Sequence, residues 1–230
     1  MSQSLALNYR DLYEPTPLPT TQNINRYWDP IREKRVAKLK PGQYIFSASN
    51  ELLVTVLGTS CAVCLRDKSK RFVGMTHFML PESAMPAMDS LSQKSIRNYG
   101  RAALENLLSR FTLLGASPHN MEAALVGGAK LWNKDGGRAH RSLEFAREYL
   151  KQAGIKISGE FYESDCPKKV YFNLDTPLPE VETLTSYNDT IKEREKTYLM
   201  CLKVQWILNQ RPSSLEITPE NTTRCRSVGR

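Results

Sequence analysis

No stretch of the 230-residue chain holds the ~20 consecutive apolar residues that a helical membrane span requires, and its first residues lack a charged-then-apolar leader. The expectation is a cytoplasmic protein without membrane insertion. Histidine is scarce, so imidazole chemistry has only His77, His119 and His140 to draw on. Cysteine comes in an odd set of five (Cys61, Cys64, Cys166, Cys201, Cys225) in a chain long enough to fold without staples, which argues for thiols over a secreted disulfide framework. Cys61-Ala62-Val63-Cys64 has the form of a redox or zinc motif. Redox motifs of that form open helices, however, and this spacer is apolar and strand-like; a zinc site would need a second ligand pair, and none is placed to supply it. Val126-Gly127-Gly128-Ala129 lacks the glycine spacing and lysine of a phosphate loop, so the glycines read as close backbone packing. Neither a metal nor an organic cofactor is expected.

What is present is an ordinary globular composition, 40% hydrophobic and 24% charged, enough for one sizeable core. A net charge of +8 suits an acidic partner, but no recognition helix or aromatic RNA-binding signature accompanies it, so no nucleic-acid partner is expected. The charged run from Arg66 to Arg71 reads as a solvated hairpin.

Prolines at 15, 17 and 19 lie among Thr, Gln and Asn, which marks 1–25 as a flexible arm. Short apolar runs at 43–47, 52–57, 61–65 and 73–80 predict strands. From Ser95 the period changes: Ile96, Tyr99, Ala103, Leu107 and Phe111 share one helical face, and Gly115 can stop it. A strand at 123–126, a helix at 142–153 capped by Gly154, and strands at 155–161 and 169–174 follow. This order predicts an α/β (α+β) fold of mixed sheet layers against helices, one domain over 26–185. Residues 186–210, with Leu199, Leu202, Trp206 and Ile207 amid charge, read as a helical C-terminal extension, and 211–230 as a disordered tail.

The chemistry concentrates between Thr55 and Pro81. Cys61 sits on a small-residue turn after an apolar strand, and His77 lies in the next-but-one apolar run. Such a thiol and imidazole can form a thiolate nucleophile. His119 and His140 have no comparable setting.

The run Thr55-Val56-Leu57-Gly58-Thr59-Ser60-Cys61-Ala62-Val63-Cys64, with Gly74-Met75-Thr76-His77-Phe78-Met79-Leu80-Pro81, resembles the signature of the CheD chemoreceptor glutamine deamidases. Tyr27-Trp28-Asp29-Pro30, Lys40-Pro41-Gly42-Gln43-Tyr44, Tyr99-Gly100-Arg101-Ala102, Val126-Gly127-Gly128-Ala129 and Ala153-Gly154-Ile155 resemble further family landmarks in the same order. The resemblance implies a layered α/β fold shared with toxin deamidases. It also implies a Cys-His-Thr constellation that converts receptor glutamines to glutamate through a cysteine thioester, and Thr55 is the candidate third member. The partners implied are chemoreceptor cytoplasmic domains and a CheC-type chemotaxis phosphatase. Backbone N–H groups of the turn from Gly58 to Cys61 are the natural oxyanion donors.

Aligned without gaps, His77 and Cys64 fall on family positions, but the nucleophile position falls on Ser60, and Cys61 lies one residue later. One step along a strand sends a side chain to the opposite face, although a rearranged turn can restore it. Three readings stay open: Cys61 attacks, Ser60 attacks as a weaker nucleophile, or the chain is a receptor-binding adaptor without turnover. The greater nucleophilicity of a thiolate favours Cys61, and a deamidase with Cys61, His77, Thr55 and Ser60 at its site is the leading expectation. Glu163-Ser164-Asp165-Cys166-Pro167-Lys168 departs from a glycine-rich family turn, and Val73 and Thr76 replace a glycine and an asparagine beside His77.

Overall fold

The computed structural model describes residues 24–79, 90–128, 137–162, 165–185 and 188–209. Apart from residues 24 and 25, the expected arm lies outside them, as do the tail and Cys225. Among the described residues ten strands and three α-helices follow in the order β1 (Asn25–Asp29), β2 (Lys34–Leu39), β3 (Tyr44–Ser47), β4 (Leu52–Leu57), β5 (Cys61–Asp67), β6 (Phe72–Phe78), α1 (Ser90–Leu113), β7 (Met121–Gly127), α2 (Gly137–Gln152), β8 (Lys156–Phe161), β9 (Lys168–Phe172), β10 (Glu180–Thr183) and α3 (Asn188–Asn209). No helix among the described residues is long and apolar enough to cross a membrane.

The strands form two five-stranded mixed sheets, ordered β1-β2-β4-β9-β10 and β3-β6-β5-β7-β8. Pairs β2/β4 and β7/β8 are parallel, and the other neighbours are antiparallel. The layered α/β class expected from the sequence is the one observed.

Side-chain alternation explains why β4 and β5 read as unbroken apolar runs. Leu53 and Leu57 of β4 meet Ala62 and Cys64 of β5, Met75 of β6 and Val126 of β7 in a core between the two sheets. The alternate residues of β5, Cys61, Val63 and Leu65, point the other way. They pack with Ala103, Leu104, Leu107 and Phe111 of α1 and Leu143, Ala146 and Leu150 of α2. The second sheet is thus buried on both faces. Each large apolar side chain enclosed there stabilises the fold by about 1.5–3 kcal/mol.

Sequence periodicity leaves some details to the structure. Helix α1 begins at Ser90, before the first periodic residue recognised in the sequence, and α2 begins at Gly137. Gly115 and Gly154 take positive φ where the two helices end. Strand β1 is mostly exposed and β2 is flanked by charge, so neither carries a strong hydrophobic signal. Arg66 corrects the solvated-hairpin reading: it is largely buried and pairs with Glu122 at 2.7 Å, while Lys68 to Arg71 are exposed.

Candidate active site

Strand β4 belongs to the first sheet and β5 to the second, so residues 58–60 form a corner where the chain crosses between layers. The corner is tightly backed. A Cβ on Gly128 would lie 2.0 Å from the Gly58 carbonyl oxygen, and the Gly128 N–H donates to the Ser60 carbonyl at 2.8 Å. The Gly127-Gly128 pair therefore serves close backbone packing, as its sequence suggested. Lys168, buried at the start of β9, donates from Nζ to the Gly127 carbonyl at 2.8 Å and pins the same segment. Burial lowers its pKa.

Three polar side chains meet at this end of the inter-sheet core. Thr55 points inward from β4 with Leu53 and Leu57, and His77 points inward from β6 with Val73 and Met75. Thr55 Oγ1 lies 2.7 Å from His77 Nδ1, and His77 Nε2 lies 2.7 Å from Ser60 Oγ. Thr55 Oγ1 is also 3.1 Å from the Leu39 carbonyl oxygen. The backbone of His77 is clamped on one side as well: Gly42 N–H donates to its carbonyl at 2.8 Å, and its own N–H donates to the Gln43 carbonyl at 2.9 Å. Thr55, Ser60 and His77 are all fully buried. Burial, and secondarily the charge of Arg194, lowers the His77 pKa to about 3, so the ring is neutral near neutral pH and, while the site is closed, a weaker base than a solvated imidazole.

Cys61 is not brought to this cluster, which corrects the leading expectation from the sequence. In the antiparallel ladder of β5 and β6, Cys61 stands opposite Phe78 and Ala62 stands opposite His77. Directly opposed residues share a face, so Ala62 occupies the histidine's side and the sulfur faces the helices. The ladder starts at Cys61 itself, leaving no room for the compensating shift in the turn. Burial pushes the Cys61 and Cys64 thiols up, away from the thiolate form. Ser60, onto which the gapless resemblance places the nucleophile, is the residue beside the imidazole.

A further residue, not among the sequence candidates, completes the cluster. Glu195 of α3 is 2% exposed and accepts four hydrogen bonds. They come from the N–H of Gly58 (2.8 Å, to Oε1), the N–H of Thr59 (2.6 Å, to Oε2), Thr59 Oγ1 (2.8 Å, to Oε2) and Ser60 Oγ (2.6 Å, to Oε1). Two of the N–H groups expected to face an oxyanion thus converge on a carboxylate. The sequence does hold a signal: Ile191, Glu195, Tyr198 and Leu199 recur at the spacing of an inward helical face, with the acid in its middle.

His119 and His140 are exposed, His140 lying 3.1 Å from Glu144 on α2. Cys166 is half-buried and Cys201 exposed. Among the described residues no group of three or more His, Cys, Asp or Glu side chains is placed to hold a metal ion. Freed of Glu195, a serine hydroxyl, an imidazole and two backbone donors are the equipment for attack on a carbonyl-type carbon.

The comparisons agree with the signature quoted above. The profile of the family described as CheD chemotactic sensory transduction matches residues 79–183. A Halorhodospira halophila protein named probable chemoreceptor glutamine deamidase CheD is 34% identical over 199 residues, which covers 84% of this chain and 91% of that protein. A Thiobacillus denitrificans protein of the same name is 35% identical over 182 residues, covering 78% and 89%. Among solved structures, the Bacillus licheniformis hypothetical protein YfiH matches 52% of this chain and 50% of its own at 13% identity, with a TM-score of 0.34, too slight to support any conclusion. The extent and identity of the first two matches establish that the chain belongs to the CheD family.

Proposed function

We propose that this chain hydrolyses the side-chain amide of selected glutamines in chemoreceptor cytoplasmic helices, giving glutamate and ammonia in chemotaxis adaptation, with Ser60 as nucleophile. The observation that carries the reading is the unbroken contact from Thr55 through His77 to Ser60 beside the N–H groups of Gly58 and Thr59. The names of the relatives supply the substrate class. Attack of Ser60 Oγ on the carboxamide carbon passes its proton to His77 Nε2, and the corner N–H groups hold the oxyanion. The imidazolium returns the proton to nitrogen, ammonia leaves, and water hydrolyses the ester with the same ring as base. The intermediate is an ester on Ser60 in place of the thioester first expected on Cys61. Such a reaction belongs in the cytoplasm, where receptor helices are reached. A CheC-type phosphatase is the second partner the family resemblance implies.

The test is incubation of the full chain with a receptor cytoplasmic fragment, followed by mass spectrometry for glutamines that become about 1 Da heavier. Ser60→Ala and His77→Ala should abolish the change, and Ser60→Cys should speed it by about tenfold, since a thiolate is the better nucleophile. The burial of Ser60 and His77 favours one other reading, a receptor-binding adaptor without turnover. Receptor binding without any mass change, in wild type and Ser60→Cys alike, would establish the adaptor and refute the hydrolase.

A further inference from the structure

Ser60 and His77 have no exposed surface, so no side chain of another protein can reach them while α3 lies where it does. The covering group is specific. A helix that merely shielded an apolar site would present apolar residues, yet α3 places a carboxylate on the donors facing the nucleophile. Both oxygens of Glu195 are satisfied, and its donors are the corner itself. The corner is fitted to the helix. A Cβ on Gly58 would come within 2.6 Å of Glu195 Oε2 and 2.9 Å of Ile191 Cγ2. One helical turn further on, a Cβ on Gly42, beside the carbonyl of His77, would come within 2.5 Å of the Tyr198 hydroxyl.

We propose that α3 is a built-in product mimic: Glu195 fills the subsite of the glutamate side chain that the reaction would form, and the helix must withdraw before a substrate glutamine, itself on a helix, can enter. What Glu195 imitates rests on the deamidase reading, whereas its place over Ser60 does not.

Proton accounting shows how the occupied site is held inactive. A neutral imidazole has one proton, and the Thr55 and Ser60 hydroxyls have one each. With Glu195 present as carboxylate, Ser60 Oγ–H donates to it, His77 Nε2–H donates to Ser60 Oγ, and Thr55 Oγ1–H donates to Nδ1. The ring then bears its proton on the wrong nitrogen to accept one from Ser60. With Glu195 gone, Thr55 Oγ1–H can turn to the Leu39 carbonyl and accept from Nδ1–H, which frees Nε2 to accept from Ser60. The two contacts of Thr55 serve the two arrangements. Glu195 thus both occupies the donors and selects the tautomer that cannot act as base.

The helix has a light footing for such a device. Among its described side chains Ile191 and Glu195 are the fully buried ones, and Glu193, Lys196, Thr197 and Met200 are exposed. A receptor helix that presents glutamine competes for the same seat, which makes the closed form a threshold for the amount or affinity of substrate.

Hydrogen–deuterium exchange on the full chain tests the position of the helix, and mass spectrometry of Glu195→Gln tests the chemistry. Exchange in peptides covering 58–60 should be slow in wild type and about tenfold faster in Glu195→Ala and in Ile191→Lys, with exchange elsewhere unchanged. Ile191→Lys leaves the cradle donors intact, so a shared response reports the helix and not a lost acceptor. In Glu195→Gln the chain presents its own substrate: Ser60 Oγ bonds to Cδ, the C–N bond breaks, ammonia leaves with the proton returned by His77, and water then releases Ser60 and glutamate. The peptide bearing residue 195 should become about 1 Da heavier, and should not in Glu195→Gln with Ser60→Ala. Faster exchange with no mass gain would uphold the covering helix and count against the deamidase reading alone. Unchanged exchange in both variants, or a wild-type corner that exchanges as fast as the exposed Lys68–Lys70 turn, would overturn the proposal whatever the chemistry shows.

Discussion

The two faces of the second sheet differ in how they end. On the helix side, Cys61, Val63 and Leu65 of β5 lie among leucines, alanines and aromatics, and burial is their whole task. On the side facing the first sheet, Ala62 and Cys64 begin in the same way, but the layer closes in Thr55, His77, Ser60 and Glu195, fully buried polar groups that are all hydrogen-bonded. One step along the chain separates Ser60 from Cys61 and decides which face each serves. A polar cluster can persist here because every member has a partner, and leaving any of them unpaired at this depth would cost about 1–3 kcal/mol. Strand parity therefore weighs against intrinsic nucleophilicity: the sulfur faces the helices and not the imidazole, however reactive a thiolate is in principle.

The sharpest way to break the contrast is to strip the inter-sheet face of its orienting hydroxyl while keeping its shape. Thr55→Val should lower deamidation of the receptor fragment by about 10²-fold, because Nδ1 loses the atom that fixes its tautomer and general-base catalysis is worth about 10²–10⁴. Steady-state assays at fixed substrate would check it. Thr55→Ser, which keeps the hydroxyl, should recover most of the rate, an outcome that a loss of packing alone would not give.

A second test uses acid, to which the two faces should respond differently. The His77 ring takes a proton in the folded chain only near pH 3, against about 6.5 unfolded, because burial disfavours its charge and Arg194 adds to this. Between those values the unfolded chain binds more protons, so stability falls as pH falls through that window, by up to about 1.4 kcal/mol per pH unit from this group. Urea unfolding at pH 7, 6, 5 and 4 should show the slope, and His77→Asn should flatten it. An unchanged slope would mean that the ring gains its charge without unfolding.

Much of this was readable beforehand, and the failures have identifiable causes. Periodicity located the core of β4 to β6, the inward face of α2 and, on α1, Ala103, Leu107 and Phe111, the side chains of Ile96 and Tyr99 lying outside the description, since buried strands and amphipathic helices are patterns of composition. The gapless register between the corner and His77 already put Ser60 on the reactive side, and chemical preference for a thiol pulled the expectation to Cys61. An acid on a charged helix reads as solvent-facing, which hides Glu195. Its burial depends on four donors from the corner around Gly58 to Ser60, more than a hundred residues earlier in the chain, and helical spacing carries no trace of them. Lys168 was hidden in the same way, its acceptor being a carbonyl on another strand.

The smallest expected effect lies on the helix side and decides whether Cys61 has any part in the reaction. Cys61→Ala removes a sulfur that packs with Phe78 and the two helices, so it should leave turnover within about twofold while costing about 1 kcal/mol of stability through the small void. Its pH signature mirrors that of His77. Burial raises the folded thiol well above its ordinary value of 9.0, so above that pH the unfolded chain releases a proton that the folded chain keeps, and stability is lost as pH rises. Cys61→Ala should therefore make the alkaline limb of a denaturation profile shallower between pH 8 and about 10, with the buried Cys64 thiol supplying the remainder, and leave the acid limb as it was. Loss of turnover in this variant, with the acid limb intact, would place the sulfur back beside the imidazole and contradict the ladder that pairs Ala62, and not Cys61, with His77.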